Sequence, residues 1–396
     1  MTDQKPRPAT QSEAVAARVE RGEIPGAVSL VARGEDVVVD AIGATAFEGG
    51  APMRRDTPFR IGSMTKPVLA AVTMQLAEDD RLDLEEPVTK VLPELFGQRV
   101  LARLDGPLDD TVELRRPITV EDLLTFTLGF GTIVDGDAID PPYPIVQAWR
   151  ELELVIGEPD PRTPHDPDEW IRRFASLPLM RQPGETWMYN AGSLVLGVLL
   201  ARVSGQPLEE LLRERLFTPL GMAGTGFSLR GERAADLPKY YMTDPSTGKL
   251  AERTGSPAEV WSRPPAFPSG AGGLVSTADE FLAFARMLLN GGVHGGTRLL
   301  SEASVASMTR NHLTPAQIES GGLLLGGAGW GYGMAVTVAA DEVSGPGRYG
   351  WSGGYGTSWF NDPREGLTSI VLTQVSDVLW NGALAEFNKA AYTVNS

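Results

Sequence analysis

Ser63 and Lys66, three residues apart, are the residues of this sequence best placed for nucleophilic catalysis. In the stretch 59–67, extended-type residues lead into Gly62, and a run with helical periodicity follows from Val68. Ser63 is therefore predicted at the amino end of a helix, with Lys66 over the same face. A helix end favours a developing alkoxide, and a desolvated lysine can lose its proton and accept that of the serine.

The S-x-x-K spacing occurs a second time, at Ser246 and Lys249. There the surrounding residues read Asp-Pro-Ser-Thr-Gly-Lys, a composition typical of a turn. A turn cannot present both side chains from one helix face, so the context favours Ser63 as the nucleophile.

A second candidate for the site is Tyr189, in the Pro-Gly-Glu-Thr-Trp-Met-Tyr-Asn-Ala-Gly-Ser stretch of residues 183–193. It comes immediately before another predicted helix. A tyrosine that is hydrogen-bonded to a serine and close to a cationic lysine can serve as a general base. The alternative is a tyrosine that only packs at the helix entry, and the residues alone leave both interpretations open.

The third candidate is the glycine-rich stretch 347–357, Gly-Arg-Tyr-Gly-Trp-Ser-Gly-Gly-Tyr-Gly-Thr. It is typical of an edge strand that other backbone approaches closely, and its amides could bind a substrate or an oxyanion. The alternative is a glycine-rich strand turn without chemistry.

Residues 350–354 of that stretch, Gly-Trp-Ser-Gly-Gly, also match the G-x-S-x-G nucleophile elbow of α/β-hydrolases. That fold requires a helix after the serine, followed later by an acidic residue and a histidine. Here the residues after Ser352 are strand-like, and the last histidine of the chain is His312. Chain order therefore argues against the elbow.

The elements that position these residues indicate an α/β (α+β) fold, an antiparallel sheet flanked by helices with a mainly helical insertion. We expect residues 1–62 and 227–396 to form the sheet domain and 63–226 the helical domain, with the active site between them. The long segment 135–167 is predicted to be a surface loop that forms a lid, a substrate wall or an insertion. Predicted strands are 27–33, 37–42, 330–338, 348–352, 357–361 and 368–375, and predicted helices are 12–21, 119–126, 166–176, 193–203, 208–217, 277–289, 301–308 and 378–392.

Composition excludes several classes of function. The formal charge of −16 argues against partners such as nucleic acid or an anionic membrane surface. The absence of cysteine excludes disulfides, thiolate catalysis and cysteine-based metal sites. The histidines His165, His294 and His312 are widely separated, so we expect no metal and no other cofactor. The amino-terminal residues lack an apolar core and no run is long enough to span a bilayer, so a cytoplasmic protein is expected; its oligomeric state is left open.

Together these stretches resemble the serine β-lactamase-like superfamily, most closely its class C β-lactamase branch and the family VIII carboxylesterases. The resemblance covers nearly the whole chain and includes Pro-Leu-Gly-Met at 219–222 and Ser-Gly-Ala-Gly-Gly-Leu-Val-Ser-Thr at 269–277. It implies Ser63 as an acylated nucleophile activated by Lys66 and Tyr189, and the backbone N–H groups of Ser63 and Gly354 as an oxyanion hole. Which of Lys66 and Tyr189 accepts the proton is left open.

The departures from the β-lactamase pattern concern substrate binding. The asparagine of Tyr-x-Asn is replaced by Ala191, and Trp-Ser-Gly at 351–353 stands where Lys-Thr-Gly is usual. Both differences resemble the esterase branch, while Arg348 could restore a positive charge. The predicted substrate-binding residues are Trp187, Asn190, Arg348, Trp351, Ser352 and Gly353.

The resemblance implies a carboxylesterase that acts on small or short-chain acyl esters through an acyl-serine, with a small-molecule ester as its partner. One alternative is an acyltransferase with the same acyl-serine chemistry. Another is a weak β-lactamase or D-alanyl peptidase, and the weakest is a penicillin-sensor-like binding module.

Overall fold

The computed structural model describes residues 9–135, 138–156, 163–253, 258–340 and 343–393. The strands are β1 Gly26–Arg33, β2 Asp36–Gly43, β3 Phe59–Arg60, β4 Arg99–Leu101, β5 Thr111–Glu113, β6 Val134–Asp135, β7 Ala138–Ile139, β8 Tyr241–Asp244, β9 Lys249–Glu252, β10 Val275–Ser276, β11 Val293–His294, β12 Thr297–Arg298, β13 Gly329–Trp330, β14 Ala335–Val336, β15 Tyr349–Gly353, β16 Thr357–Asp362 and β17 Leu367–Leu372. The helices are α1 Gln11–Glu20, α2 Thr65–Glu78, α3 Val120–Thr125, α4 Pro144–Glu151, α5 Pro167–Ala175, α6 Ala191–Ser204, α7 Leu208–Leu212, α8 Thr218–Leu220, α9 Ala278–Leu289, α10 Glu302–Met308, α11 Pro315–Ser320, α12 Gly322–Leu325 and α13 Ala383–Ala390.

Both ends of the chain contribute to one antiparallel sheet with the order β13-β14-β15-β16-β17-β1-β2. Strand β1 pairs with β17 and β2, with Leu30 opposite Ile370 and Val39. Helices α1 and α13 pack on one face of the sheet, and α9 packs on the other. Because both faces are covered, residues 26–30 of β1 are buried in succession, and the predicted antiparallel sheet flanked by helices is confirmed.

The helices between the sheet segments are organised around α2 and α6. Both are apolar on nearly every side, a pattern typical of helices that lie inside a core. They pack against each other, α6 also packs against α3, and their side chains join those of the sheet in one continuous cluster. The division into domains 1–62 with 227–396 and 63–226 stays a prediction.

Two predicted elements are interrupted in the structure. The predicted strand 330–338 is divided into β13 and β14, because the backbone between them is held against the start of α2. Gly333 has φ +73, and a Cβ atom there would lie 2.7 Å from the carbonyl oxygen of Lys66. The predicted helix 378–392 begins only with α13, after a 3₁₀ turn and the left-handed Gly382.

The predicted surface loop 135–167 contains the short strand β7 and helix α4, although its residues 136–137 and 157–162 lie outside the described residues. The prediction of an edge strand at 347–357 is wrong, because β15 lies between β14 and β16. Within the described residues, however, β14 pairs with β15 only at Tyr349 and Gly350. Residues 351–353 thus pair with β16 along one edge, and other backbone can approach along the opposite edge.

No single helix in the described part of the chain has the length and apolar character to cross a membrane. By length and composition alone, the bent pair Ala191–Ser204 and Leu208–Leu220 passes such a test together, with an angle of 79° between its members.

Candidate active site

The turn that carries Ser63 is built to approach strand β15. A 3₁₀ turn, Gly62–Met64, leads directly into α2, and Ser63 is 9% exposed. Gly62 has φ +52, a conformation that favours glycine, and a Cβ atom there would lie 3.1 Å from the amide nitrogen of Gly354. Gly62, together with Gly353, where a Cβ atom would clash with the Ile61 carbonyl oxygen, therefore allows the serine turn and the end of β15 to meet.

Lys66 lies one helical turn beyond Ser63 and is 1% exposed. Its Nζ is 2.8 Å from Ser63 Oγ and donates a hydrogen bond of 2.6 Å to the carbonyl oxygen of Ala271. Burial lowers the pKa of Lys66 well below its usual value, because the charged form loses its hydration. A neutral amine beside a serine hydroxyl is the arrangement that can accept the serine proton.

Ala271 is a candidate site residue that the sequence does not reveal, since its carbonyl group and not its side chain contacts Lys66. The loop that carries it is fixed to the serine turn at its end, where Leu274 accepts from the Ile61 amide at 3.0 Å and donates to Thr65 Oγ1 at 3.2 Å. Gly270 allows close packing there, because a Cβ atom at that position would lie 2.4 Å from Leu69 Cδ2. The one sequence feature that indicates a close approach of this loop to other backbone is the glycine-rich composition of 269–273.

The hydroxyl group of Tyr189 lies between Ser63 and Trp351. A hydrogen bond joins it to the serine side chain, and Trp351 Nε1 donates to it at 2.6 Å. Burial raises the pKa of Tyr189, and the hydrogen bonds from Ser63 and Trp351 act in the opposite direction. Lys66 Nζ lies 4.3 Å from the centre of the tyrosine ring, so the three predicted catalytic side chains meet at one point.

An unusual backbone turn holds Tyr189 in this position. Asn190 has φ 77 and ψ −55, and the Ala191 amide donates to the Tyr189 carbonyl oxygen at 3.2 Å. These values describe a γ-turn of the rare, strained kind, which the first residue of α6 closes. The Thr132 amide donates to the same carbonyl oxygen at 2.9 Å. Asn190 thus shapes the turn, and substrate binding by its buried side chain stays a prediction.

Hydrogen bonds fix the orientation of the two peptide groups on either side of Gly354. The Gly353 carbonyl oxygen accepts from the Gly356 amide at 2.9 Å, and that of Gly354 accepts from Ser376 Oγ at 2.7 Å. Because N–H and C=O point in opposite directions in a trans peptide, the Gly354 N–H is turned away from Gly356. Its nitrogen lies beside Gly62, and an oxyanion hole formed with the Ser63 amide stays a prediction.

Side chains of β15 alternate between two environments, and this corrects two predicted substrate contacts. Trp351 is on the face towards Tyr189. Ser352 Oγ instead donates to Ser358 Oγ at 3.3 Å, and the Arg348 guanidinium lies 3.9 Å from the centre of the Phe360 ring. Since successive strand residues point to opposite faces, the side chains of Ser352 and Arg348 lie on the far side of the sheet from the site.

Aromatic rings surround Tyr189. We call this group the aromatic wall, and it consists of Phe126, Trp187, Tyr189, Trp330 and Trp351. Trp187 stacks on Tyr189 with ring centres 5.6 Å apart, and Trp330 meets Trp351 edge to face at 4.8 Å. Trp187 is 3% exposed, so in this structure it packs against the Tyr189 ring in the protein interior. Trp330 was missed by sequence reasoning, because its position depends on the break between β13 and β14.

An antiparallel sheet whose inner strand abuts an S-x-x-K helix is the architecture of the serine β-lactamase-like superfamily. A sequence model of the family described as Beta-lactamase matches residues 12–391, so the chain belongs to that family and has its β-lactamase/transpeptidase-like fold. The resemblance stated from the motifs is thereby confirmed.

Similar proteins place the chain near the esterases of the family. It is 38% identical over 367 residues to Protein Rv1367c of Mycobacterium tuberculosis, covering 89% of this chain and 86% of the relative. It is 33% identical over 377 residues to Esterase EstB of Burkholderia gladioli, with the same coverages of 89% and 86%. The solved structure of EstCE1, described as a hydrolase with promiscuous acyltransferase activity, matches with a TM-score of 0.79 at 25% identity over 96% of this chain and 97% of EstCE1.

Proposed function

We propose that the protein is a serine carboxylesterase that forms an acyl-enzyme at Ser63 and acts on small or short-chain acyl esters. The observation that carries this proposal is the contact of Ser63 Oγ with both Lys66 Nζ, at 2.8 Å, and the Tyr189 hydroxyl. Similarity to Esterase EstB supports the same reaction class.

In acylation, the neutral Lys66 takes the proton of Ser63 while the serine oxygen attacks the ester carbonyl carbon. The N–H groups of Ser63 and Gly354 stabilise the resulting oxyanion. Tyr189, whose raised pKa keeps it protonated, donates its proton to the departing alkoxide. Burial thus favours Lys66 as the base and Tyr189 as the acid, a choice that the sequence left open.

In deacylation, the phenolate and the ammonium group formed during acylation return to their neutral forms. The Tyr189 phenolate removes a proton from water, and the hydroxide attacks the acyl carbon. The tetrahedral species then collapses as Lys66 returns its proton to Ser63 Oγ, which restores the resting enzyme. Throughout the acyl-enzyme stage the lysine ammonium lies beside the phenolate ring, which stabilises both ions.

The charge of the site favours a neutral substrate. Trp351 occupies the place of the usual third-motif lysine, and the Arg348 side chain lies on the opposite face of the sheet. An anionic β-lactam or D-alanyl peptide therefore lacks a charge-assisted hydrogen bond worth about 1.5–3 kcal/mol. Ala191 removes a further contact to an amide worth about 0.5–1.5 kcal/mol, so hydrolysis of such substrates should be weak.

An acyltransferase is the second candidate, favoured by the similarity to EstCE1 and its stated acyltransferase activity. The same acyl-serine then reacts with an alcohol or amine, which gives its proton to the Tyr189 phenolate in place of water. Product analysis with an added alcohol separates transfer from hydrolysis.

The proposal is tested by the turnover of an acyl ester series beside a chromogenic cephalosporin, with variants of the three central residues. Wild type should hydrolyse short acyl esters and leave the cephalosporin nearly untouched. Lys66→Arg, which keeps the charge but supplies no usable base, and Tyr189→Phe should fold and be nearly inactive. Near-wild-type activity in both variants, or a cephalosporin kcat/KM equal to that for p-nitrophenyl butyrate, would refute the proposal.

A further inference from the structure

A buried arginine lies close to the turn that follows β15, residues 353–356, which we call the glycine turn. Arg60 belongs to β3, three residues before Ser63, and is 2% exposed. Burial lowers the pKa of Arg60 to about 10, which still leaves its guanidinium charged at neutral pH. Arginine is almost never fully buried unless it is paired, so the groups around Arg60 must hold its charge in place.

Two aromatic rings lie against the guanidinium of Arg60. Its central carbon is 5.7 Å from the centre of the Trp261 ring and 5.9 Å from that of the Tyr355 ring. A cation at such a distance is attracted by the ring electrons, and more strongly where water is excluded. Tyr355 is itself 5% exposed and comes directly after Gly354. This contact therefore joins the arginine to the glycine turn.

Arg60 also holds the segment that follows β17. Its Nη1 donates to Gln374 Oε1 and to the Pro238 carbonyl oxygen, each at 2.9 Å. Gln374 Nε2 donates in return to the Arg60 carbonyl oxygen at 3.3 Å. Because Arg60 and Gln374 are bonded in both directions and Gln374 is 1% exposed, their relative position is fixed in the protein interior.

The segment of Gln374 is bonded to the glycine turn at two points. Thr373 Oγ1 donates to the Gly356 carbonyl oxygen at 2.7 Å, and Ser376 Oγ donates to that of Gly354 at 2.7 Å. Arg60 is thus connected to the glycine turn by two routes, one through this segment and one through the aromatic ring inside the turn.

The position of the glycine turn matters because a donor stabilises an oxyanion only within hydrogen-bond distance of the developing charge. We propose that Arg60 is a positioning residue, which holds the Gly354 N–H where it stabilises the oxyanion. The inference rests on the proposed esterase function and deepens it by a residue that does not touch the reacting atoms.

Replacement of Arg60 by methionine provides the first test. Arg60→Met removes the guanidinium from Tyr355 and from Gln374 and leaves the reacting groups unchanged. Because a displacement of about 1 Å can slow catalysis about 100-fold, kcat for p-nitrophenyl butyrate should fall roughly 10- to 100-fold, with KM within about threefold of wild type. A wild-type kcat in the folded variant would overturn the proposal.

A boronic acid distinguishes a displaced turn from a loss of folded protein. Butylboronic acid adds to a nucleophilic serine as a tetrahedral species with an oxygen where the oxyanion forms, so its Ki reports the binding of a transition-state analogue. In Arg60→Met this Ki should rise by about the factor by which kcat/KM falls. A variant that only unfolds in part would lose active protein but keep the wild-type Ki, and that result would contradict the positioning role.

Tyr355→Leu and Trp261→Leu form a matched pair, which also serves if Arg60→Met does not fold. Each removes one buried ring from the guanidinium, so both should lose stability. Of the two, Tyr355 lies in the glycine turn. Tyr355→Leu should therefore raise the boronate Ki about tenfold, while Trp261→Leu should keep Ki and kcat within about threefold of wild type. Equal changes in both variants, or an unchanged Ki in Tyr355→Leu, would refute the proposal.

The outcomes also separate this proposal from the one it rests on. A wild-type enzyme that hydrolyses the ester and binds the boronate, with the same Ki in Arg60→Met and Tyr355→Leu, would refute only the positioning role. A wild-type protein that neither hydrolyses the ester nor binds the boronate would refute both proposals.

Discussion

Replacement of Trp351 by phenylalanine is expected to slow the chemical step while leaving the aromatic wall in place. The indole N–H of Trp351 donates to the Tyr189 hydroxyl oxygen at 2.6 Å. When Tyr189 gives its proton to the leaving group, the same N–H stabilises the phenolate that forms. Trp351→Phe removes this donor and keeps an aromatic ring against Tyr189 and Trp330.

The size of the effect follows from the difference between a neutral and a charged acceptor. A hydrogen bond to a neutral group contributes about 0.5–1.5 kcal/mol, and one to a charged group about 1.5–3 kcal/mol. Only the part gained in the transition state affects the rate, which is about 1–2 kcal/mol here. At about 1.36 kcal/mol per decade, kcat for a short acyl ester should fall roughly 5- to 30-fold.

The matched control is Trp330→Phe, the same substitution in the same aromatic wall. Trp330 Nε1 donates to the Leu124 carbonyl oxygen at 3.2 Å and not to the tyrosine. Because Trp330 is fully buried, this variant should lose stability but keep kcat within about threefold of wild type. A Trp351→Phe enzyme with wild-type kcat, or an equal loss in both variants, would refute the role assigned to the indole N–H.

Further predictions follow from the burial of Lys66 and Tyr189. Others follow from the face of the sheet on which Arg348 and Ser352 lie. Because burial lowers the pKa of Lys66, the folded protein binds fewer protons than the unfolded chain below the usual lysine pKa. Lys66→Met should therefore abolish turnover and raise Tm at pH 7, and the gain in Tm should shrink as the pH rises towards 10.5. Calorimetry at several pH values measures this gain. A Tm lower than that of wild type at pH 7 would contradict the prediction. The ester pH-rate profile should rise with pH through the lowered Lys66 pKa, with no falling limb from Tyr189 up to about pH 10, because burial raises the tyrosine pKa. A fall in rate between about pH 8 and 10 in a protein still folded by circular dichroism would contradict this assignment. Ser352→Ala and Arg348→Ala should keep kcat/KM within about threefold, since both side chains face away from the site, and a larger loss in steady-state assays would show otherwise.

The residues that the sequence predicts correctly to lie together are those whose side chains are proposed to do the chemistry. The helical spacing of Ser63 and Lys66 fixes their relative position locally, and Tyr189 comes just before the helix that places it. The contact of Ala271 cannot be predicted from residue types, because it is made by a carbonyl group, which every residue has. Its position depends on the packing of a loop against a distant turn.

The errors concern strand β15 and the segment before it, and both have physical reasons. A glycine-rich strand indicates close approach but not which face meets the site, so Arg348 and Ser352 were grouped with Trp351. The predicted strand 330–338 ignores Gly333, whose positive φ and contact with the Lys66 carbonyl oxygen take the chain out of the sheet. Strand propensity alone does not report such tertiary contacts.

The formation of an acyl-enzyme at Ser63 is tested most directly by labelling with a fluorophosphonate, followed by peptide mass spectrometry. The expected result is a single adduct, on the peptide that contains Ser63, which is lost in Ser63→Ala and strongly slowed in Lys66→Arg. An adduct on Ser352, or undiminished labelling of Ser63→Ala, would contradict the proposed mechanism and the identity of its nucleophile.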